Sequence, residues 1–163
     1  MWIQFNEFCG RLGLETFKGS MTLYLDHGLL MVEDRDSDAV YDDWIPGGSG
    51  GVVTARFDSI CIAGRISVDG PVTIVAYTGE MQSVSAVAAF GGVIDVPSGW
   101  LQIEDSDGFS RLLMRAPALR VSLSIHVDDP VYPSYIAIAI NSADLLVVLQ
   151  SQFSDRWSRC RSA

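Results

Sequence analysis

The stretch Leu119-Arg120-Val121-Ser122-Leu123-Ser124-Ile125-His126-Val127 alternates apolar and polar residues without a break. Successive side chains of a β-strand point to opposite faces, so a period of two places the apolar residues on a core face. The opposite face then carries Arg120, Ser122, Ser124 and His126. The sequence therefore predicts a half-buried strand of the kind typical of antiparallel sheets.

Other segments between residues 20 and 150 have the composition of short strands separated by turns. Ile136-Ala137-Ile138-Ala139-Ile140 repeats the alternation with small residues on one side, which indicates close approach of another layer. Asp69-Gly70-Pro71 and Pro97-Ser98-Gly99 are typical turn sequences. We therefore predict a mainly β protein, an antiparallel β-sandwich or flattened barrel of about eight to ten strands.

The expected domain organisation has three parts. Residues 1–18 are predicted to form a short N-terminal helical segment, because Trp2, Phe5, Phe8, Cys9 and Leu12 recur at helical spacing. Residues 19–150 form the β-sandwich domain, and residues 151–163 form a basic C-terminal tail containing Arg156, Arg159 and Arg161. With 163 residues, 48% of them hydrophobic, the chain can bury a core without disulfides or metal.

The net charge and the cysteines exclude several classes of protein. With 20 Asp and Glu against 11 Lys and Arg, the chain offers no basic face for a phosphate backbone, so no direct nucleic-acid partner is expected. Cys9, Cys61 and Cys160 form no metal-binding spacing and are expected to be reduced. The N-terminus lacks the features of a signal peptide, and no apolar run reaches the roughly 18 residues of a membrane span. We expect a cytoplasmic protein that makes no membrane contact.

Much of the negative charge lies in one block, Glu33-Asp34-Arg35-Asp36-Ser37-Asp38-Ala39-Val40-Tyr41-Asp42-Asp43-Trp44, which leads into a glycine-rich run at residues 46–51. Carboxylates packed this closely are costly to desolvate, so the whole block is expected to lie in water. Charge of this kind steers a basic partner, and aromatic rings supply short-range binding energy. The predicted partner-binding face comprises Glu33, Asp34, Asp36, Asp38, Tyr41, Asp42, Asp43 and Trp44.

Two alternative functions remain open at this point. One is a calcium- or carbohydrate-binding module. The spacing of Asp34, Asp36 and Asp38 matches the start of a calcium loop, but Ala39 and Ile45 replace the required glycine and glutamate. A sugar would be recognised through Trp44 and Trp100. A structural assembly subunit is the other, in which apolar strands such as 135–140 pair edge to edge.

We expect no enzymatic activity, no cofactor and no metal. The chain has two histidines, His27 next to Asp26 and His126 close to Asp128 and Asp129, and lone histidines at turns or strand ends are usually surface residues. No phosphate-binding loop, dinucleotide-binding motif or nucleophile elbow is present in the sequence.

A series of features runs in order along residues 20–140: a hairpin from Tyr24 to Val32, the acidic loop ending in Asp42-Asp43-Trp44, the glycine run, Val93-Ile94-Asp95-Val96-Pro97-Ser98-Gly99, and a late strand at Tyr135-Ile136. This order resembles the bacterial competence nuclease-inhibitor (ComJ-like) proteins. The resemblance implies a small cytoplasmic β-rich protein that binds and blocks a DNA-degrading nuclease. This chain departs from the family pattern in residues 1–18 and in the basic tail. It also departs at Ala116-Pro117-Ala118-Leu119, where such proteins tend to have a glycine turn.

Charge and resemblance together lead to one predicted function. We expect a non-enzymatic acidic binding protein that inhibits a basic partner protein, above all a nuclease or a toxin, in an immunity or antidote role.

Overall fold

A computed structural model describes residues 17–38, 52–79 and 86–143. These residues form ten strands and one 3₁₀ turn, at Ser67–Asp69. The strands are β1 (Phe17–Leu23), β2 (Leu29–Asp34), β3 (Val53–Ala55), β4 (Ser59–Ala63), β5 (Val72–Tyr77), β6 (Val87–Asp95), β7 (Trp100–Asp105), β8 (Arg111–Arg115), β9 (Arg120–Val127) and β10 (Tyr135–Ser142).

The strands form two five-stranded sheets, with the orders β1-β5-β10-β9-β6 and β3-β4-β2-β7-β8. Neighbouring strands are antiparallel except for β5 and β10, which are parallel. The predicted mainly β architecture of mostly antiparallel sheets is therefore confirmed.

One hydrophobic core lies between the two sheets. The inward residues of β9 (Val121, Leu123, Ile125 and Val127) are fully buried, and they share the core with Leu30, Ile60 and Ile103 of the other sheet. Burial of an aliphatic side chain of this size stabilises a fold by about 1.5–3 kcal/mol. The apolar side chains whose alternation predicted β9 thus contribute part of the burial energy that holds the two sheets together.

Leu119 is an exception to that alternation, because it is 63% exposed. Strand β9 begins one residue later, at Arg120, and Leu119 lies in the preceding turn, where its carbonyl accepts a hydrogen bond from the amide of Val96 at 2.7 Å. On β10, the small residues Ala137 and Ala139 are buried on the face opposite the core, together with Tyr77. The approach of another layer to this face stays a prediction.

Several expectations fall partly or wholly outside the described residues. The helix predicted for residues 1–18 does so except at Phe17 and Lys18, which belong to β1, and the tail at 151–163 does so entirely. Among the residues that are described, no helix has the length and apolar character to cross a membrane. The free edge expected at residues 135–140 is wrong: β10 lies inside its sheet, hydrogen-bonded to β5 and β9.

Candidate functional site

The first carboxylate of the acidic block is buried. Glu33 projects from the outward face of β2 and is only 5% exposed; its Oε1 accepts a hydrogen bond from the Gln102 side-chain amide at 2.9 Å. Gln102 also donates to Glu104 at 3.2 Å, and Glu104 forms a 2.7 Å ion pair with Arg111. Desolvation raises the pKa of Glu33, while the hydrogen bond from Gln102 opposes that rise.

The second carboxylate, Asp34, is 1% exposed and connects two turns. Its Oδ1 accepts from the amide of Asp36 at 2.8 Å and its Oδ2 from the amide of Ser98 at 2.9 Å. The expectation that the whole block lies in water is therefore wrong for Glu33 and Asp34. Hydrogen-bond donors compensate the desolvation of both carboxylates, and two of them come from residues distant in the sequence.

The exposed carboxylates of the block in the described part of the chain are those of Asp36 and Asp38. Arg35 donates to both carboxylate oxygens of Asp36, at 2.8 and 2.9 Å, and this hydrogen bonding lowers the pKa of Asp36. Exposed Arg56, Arg115 and Arg120 lie at the same end of the sandwich. Tyr41, Asp42, Asp43 and Trp44 lie outside the described residues, so their place in the predicted face stays a prediction.

The geometry does not favour a calcium loop in this block. Both oxygens of Asp34 are occupied by backbone amides, and both oxygens of Asp36 are occupied by Arg35. Within residues 17–38, 52–79 and 86–143, no group of three or more His, Cys, Asp or Glu side chains is arranged to hold a metal ion. Asp34 and Asp36 thus already have the partners that calcium would replace.

The histidines occupy separate positions. The Nε2 atom of His27, in the turn after β1, lies 3.4 Å from the Oδ1 of Asp107, and His126 lies on the outward face of β9. Partial burial lowers the pKa of His126. Asp128 accepts hydrogen bonds from the backbone amides of Asp129, Ser134 and Tyr135 and from the Ser134 hydroxyl. These contacts give Asp128 a structural role in its loop.

Four connections meet at the end of the sandwich where β2, β5, β8 and β10 begin: residues 24–28, 64–71, 106–110 and 128–134. We call this surface the loop end. Backbone hydrogen bonds tie the connections together, from Gly64 to Gly28 at 2.8 Å, from Arg65 to Pro133 at 2.8 Å and from Ser106 to Leu29 at 3.3 Å. The loop end is therefore one continuous, cross-linked surface built from both sheets.

The loop at 128–134 is fixed by the side chains of its own aspartates. Asp129 accepts hydrogen bonds from the amides of Val131 at 2.8 Å and Tyr132 at 3.0 Å, which lower the pKa of Asp129. The Tyr132 hydroxyl donates to Asp69, and the Arg65 guanidinium lies 6.0 Å from the centre of the Tyr132 ring. Val131, at the tip, is 80% exposed.

Negative charge and apolar surface coincide at the loop end. Its connections contain five exposed carboxylates and a single arginine, Arg65. The carboxylates are Asp26, Asp69, Asp107, Asp128 and Asp129. The same connections expose Tyr24, Ile66, Val68, Phe109, Val131 and Tyr132.

The sequence contains a signal for this surface that composition alone does not show. Each connection carries a carboxylate one or two residues from an exposed apolar side chain: Tyr24 and Asp26, Val68 and Asp69, Asp107 and Phe109, Asp129 and Val131. Large apolar residues inside polar turns are uncommon where a turn only reverses the chain, because turns favour Gly, Pro, Asn, Asp and Ser. The pairs are spread over more than a hundred residues, and only the fold brings them to one end.

Neither models of protein families nor curated protein sequences match this chain. Solved structures do match. The crystal structure of ComJ, inhibitor of the DNA-degrading activity of NucA, from Bacillus subtilis, superimposes with a TM-score of 0.63 at 14% identity, covering 80% of this chain and 100% of ComJ. A structure described as crocagin biosynthetic gene J gives a TM-score of 0.46 at 12% identity over 78% of this chain and 96% of its own.

The second likeness is too distant to support an inference. The first spans the whole of the neighbouring protein and 80% of this chain. The fold of this chain is therefore a ComJ-like fold, as the order of its sequence features indicated.

Proposed function

We propose that this protein is a non-enzymatic inhibitor that binds a basic partner protein, and that the partner is a DNA-degrading nuclease. The observation that carries the proposal is the ComJ-like fold, which matches the full length of a protein that inhibits the DNA-degrading activity of a nuclease. Fold alone does not fix function, and the chemistry of the surface gives the proposal its second support.

The surface chemistry supports a basic partner. The chain has a net charge of −9, and five exposed carboxylates at the loop end face solvent beside one arginine. A nuclease must bind a polyanion, and a groove that does so is positively charged. Carboxylates on an inhibitor attract such a groove over several ångströms and accelerate association.

Affinity chromatography tests the binding step. The full-length protein is immobilised, an extract of cells that produce it is applied at low salt, and DNA-degrading activity is assayed in the flow-through and in the eluate. We expect the activity to be depleted from the flow-through and recovered at about 0.5 M salt, where surface charges are screened. Passage of all DNA-degrading activity through the column would contradict the proposal.

Two charge variants show which carboxylates matter. Asp36→Lys with Asp38→Lys changes the exposed part of the block predicted from the sequence. Asp26→Lys with Asp107→Lys changes the loop end by the same charge. Each pair of substitutions changes the net charge by the same amount. When each variant is immobilised on its own affinity column, a difference in the retained DNA-degrading activity therefore reports the position of the carboxylates and not the net charge.

A further inference from the structure

We propose that the loop end is the docking surface for the basic partner, with Phe109, Val68 and Val131 as apolar anchors and the neighbouring carboxylates as the groups that select a positively charged surface. This inference rests on the proposed inhibitor function and adds the location and chemistry of its interface. It places the main contact at the end of the sandwich opposite Asp36 and Asp38.

The loop end exposes several large apolar side chains. Phe109 is 88% exposed, Val68 83% and Val131 80%, although each lies beside polar or charged neighbours. Single exposed apolar residues are ordinary on a protein surface, but several on adjoining loops are typical of interaction sites. An aromatic ring that becomes buried in a partner is the kind of contact that dominates binding energy.

Hydrogen bonds already fix the loops that carry these side chains. Asp105 accepts hydrogen bonds from the amides of Phe109 at 2.9 Å and Ser110 at 3.1 Å, and its carbonyl accepts from Gly108 at 3.0 Å. Asp129 fixes the loop that carries Val131 in the same way, by accepting hydrogen bonds from the amides of Val131 and Tyr132. A preformed loop loses less conformational entropy on binding than a flexible one, so more of the contact energy appears as affinity.

The charge of the loop end favours one kind of occupant. The four connections of the loop end carry five exposed carboxylates and Arg65, and the exposed Arg111 beside them, at the start of β8, is paired with Glu104. The opposite end exposes Arg35, Arg56, Arg115 and Arg120, of which Arg35 pairs with Asp36 and Arg120 pairs with Asp95. A second copy of this chain that packed loop end against loop end would bring like charges together, and nucleic acid or an anionic membrane would be repelled. A second copy packed head to tail is an outcome of the crosslinking test below, where a product of twice the mass of this chain would count against the inference. A protein with a positively charged surface is the occupant that complements both the carboxylates and the apolar anchors.

Site-specific photocrosslinking in the cells that produce the protein tests the location. Benzoylphenylalanine is placed in the full-length chain at position 109 or 131, and at positions 57 and 119 as matched controls. Phe57 and Leu119 are also large, apolar and exposed, at 73% and 63%, but lie at the opposite end. We expect a crosslinked basic protein from positions 109 and 131 only. No product at 109 and 131, or products only at 57 and 119, would overturn the inference.

A binding comparison gives a second readout. Phe109→Ser with Val131→Ser is expected to weaken retention of the DNA-degrading activity by roughly tenfold or more, as truncation of interface anchors does. The matched variant Phe57→Ser with Leu119→Ser is expected to bind as the unchanged protein does. All of these side chains are exposed, so thermal melting should show that both variants remain folded.

The outcomes separate this inference from the proposed function. If the unchanged protein retains the nuclease but only the opposite-end variants weaken it, the function stands and the loop end is the wrong surface. If positions 109 and 131 crosslink a basic protein that does not degrade DNA, the surface stands and the nuclease assignment fails.

Discussion

The Gln102 side-chain amide donates a hydrogen bond to Glu33 across the β2–β7 pair at 2.9 Å, although the two residues are 69 positions apart in the sequence. Glu33 belongs to the most acidic segment of the chain, yet it is only 5% exposed and accepts this hydrogen bond. Glu33 lies in a segment whose composition predicts a binding face. Its hydrogen bond with Gln102 instead gives it a structural role.

Glu33 makes the stability of the protein depend on pH. Desolvation raises the pKa of Glu33 above its ordinary 4.5, so the unfolded chain releases this proton more readily than the folded chain. Its ionisation therefore destabilises the fold as the pH rises above 4.5. We expect the free energy of unfolding of Glu33→Gln to increase relative to that of the unchanged protein as the pH rises above 4.5. Urea unfolding of both proteins at a series of pH values measures this difference. A difference that stays constant with pH would contradict this account.

Removal of the donor should have the opposite effect. Gln102→Leu leaves the Glu33 carboxylate buried without its amide partner, and we expect a loss of about 2 kcal/mol in the free energy of unfolding near neutral pH. Addition of Glu33→Gln to this variant should recover part of the loss, because a neutral amide is less costly to bury. Simple additivity of the two changes would show that the residues do not interact.

Asp34 is expected to be a structural residue. Asp34→Ala removes the acceptor for the amides of Asp36 and Ser98 in a site that is nearly closed to water, which should cost about 3 kcal/mol. Asp38→Ala, four residues further on and exposed, is the matched control and should change stability by less than about 0.5 kcal/mol. Chemical denaturation of both variants measures the difference, and equal stability would contradict the assignment.

Gly28 holds the turn between β1 and β2 in a conformation that suits glycine. Its φ is +67°, and an added Cβ would lie 2.9 Å from the Ile66 side chain and 3.1 Å from the Gly64 carbonyl oxygen. We expect Gly28→Ala to destabilise the protein by about 3 kcal/mol, from the left-handed backbone and the clash together. Gly108 has a similar φ of +70° but open space around the Cβ position, so Gly108→Ala should cost only about 1 kcal/mol.

The carboxylate of Asp129 should control the shape of the loop at 128–134. Hydrogen bonds from the amides of Val131 and Tyr132 lower the pKa of Asp129 below 3.8, so the ordered loop is favoured above that pH and loosens as acid protonates the carboxylate. NMR titration of these two amides should show a midpoint below 3.8. Asp129→Asn should remove the titration, and a midpoint at or above 3.8 would contradict the contact.

Local patterning predicted the strands and the sheet class, because side-chain alternation depends on neighbouring residues alone. It placed Val121, Leu123, Ile125 and Val127 on the core face, and all four are buried. The parallel pairing of β5 with β10 was not predictable in the same way, because it joins residues about sixty positions apart and no local signal records it.

The candidate site also depends on contacts between residues distant in the sequence, which local patterns do not predict. The carboxylates of residues 33–44 are clustered in the sequence, which predicted a binding face there. Glu33 and Asp34 are nevertheless buried and hydrogen-bonded to residues from elsewhere in the chain. The loop end has no such concentration in the sequence. Phe109 and Val131 lie on separate turns, and their relationship depends on strand directions that only the folded structure provides.

The most direct test of the inhibitor account is a titration of DNA degradation. The nuclease eluted from the affinity column is mixed with increasing full-length protein, and cleavage of a labelled duplex is followed at low salt and at about 0.5 M salt. The account predicts stoichiometric loss of cleavage at low salt, weakened at high salt and in the Phe109→Ser, Val131→Ser variant. Cleavage that continues undiminished at saturating protein would contradict it.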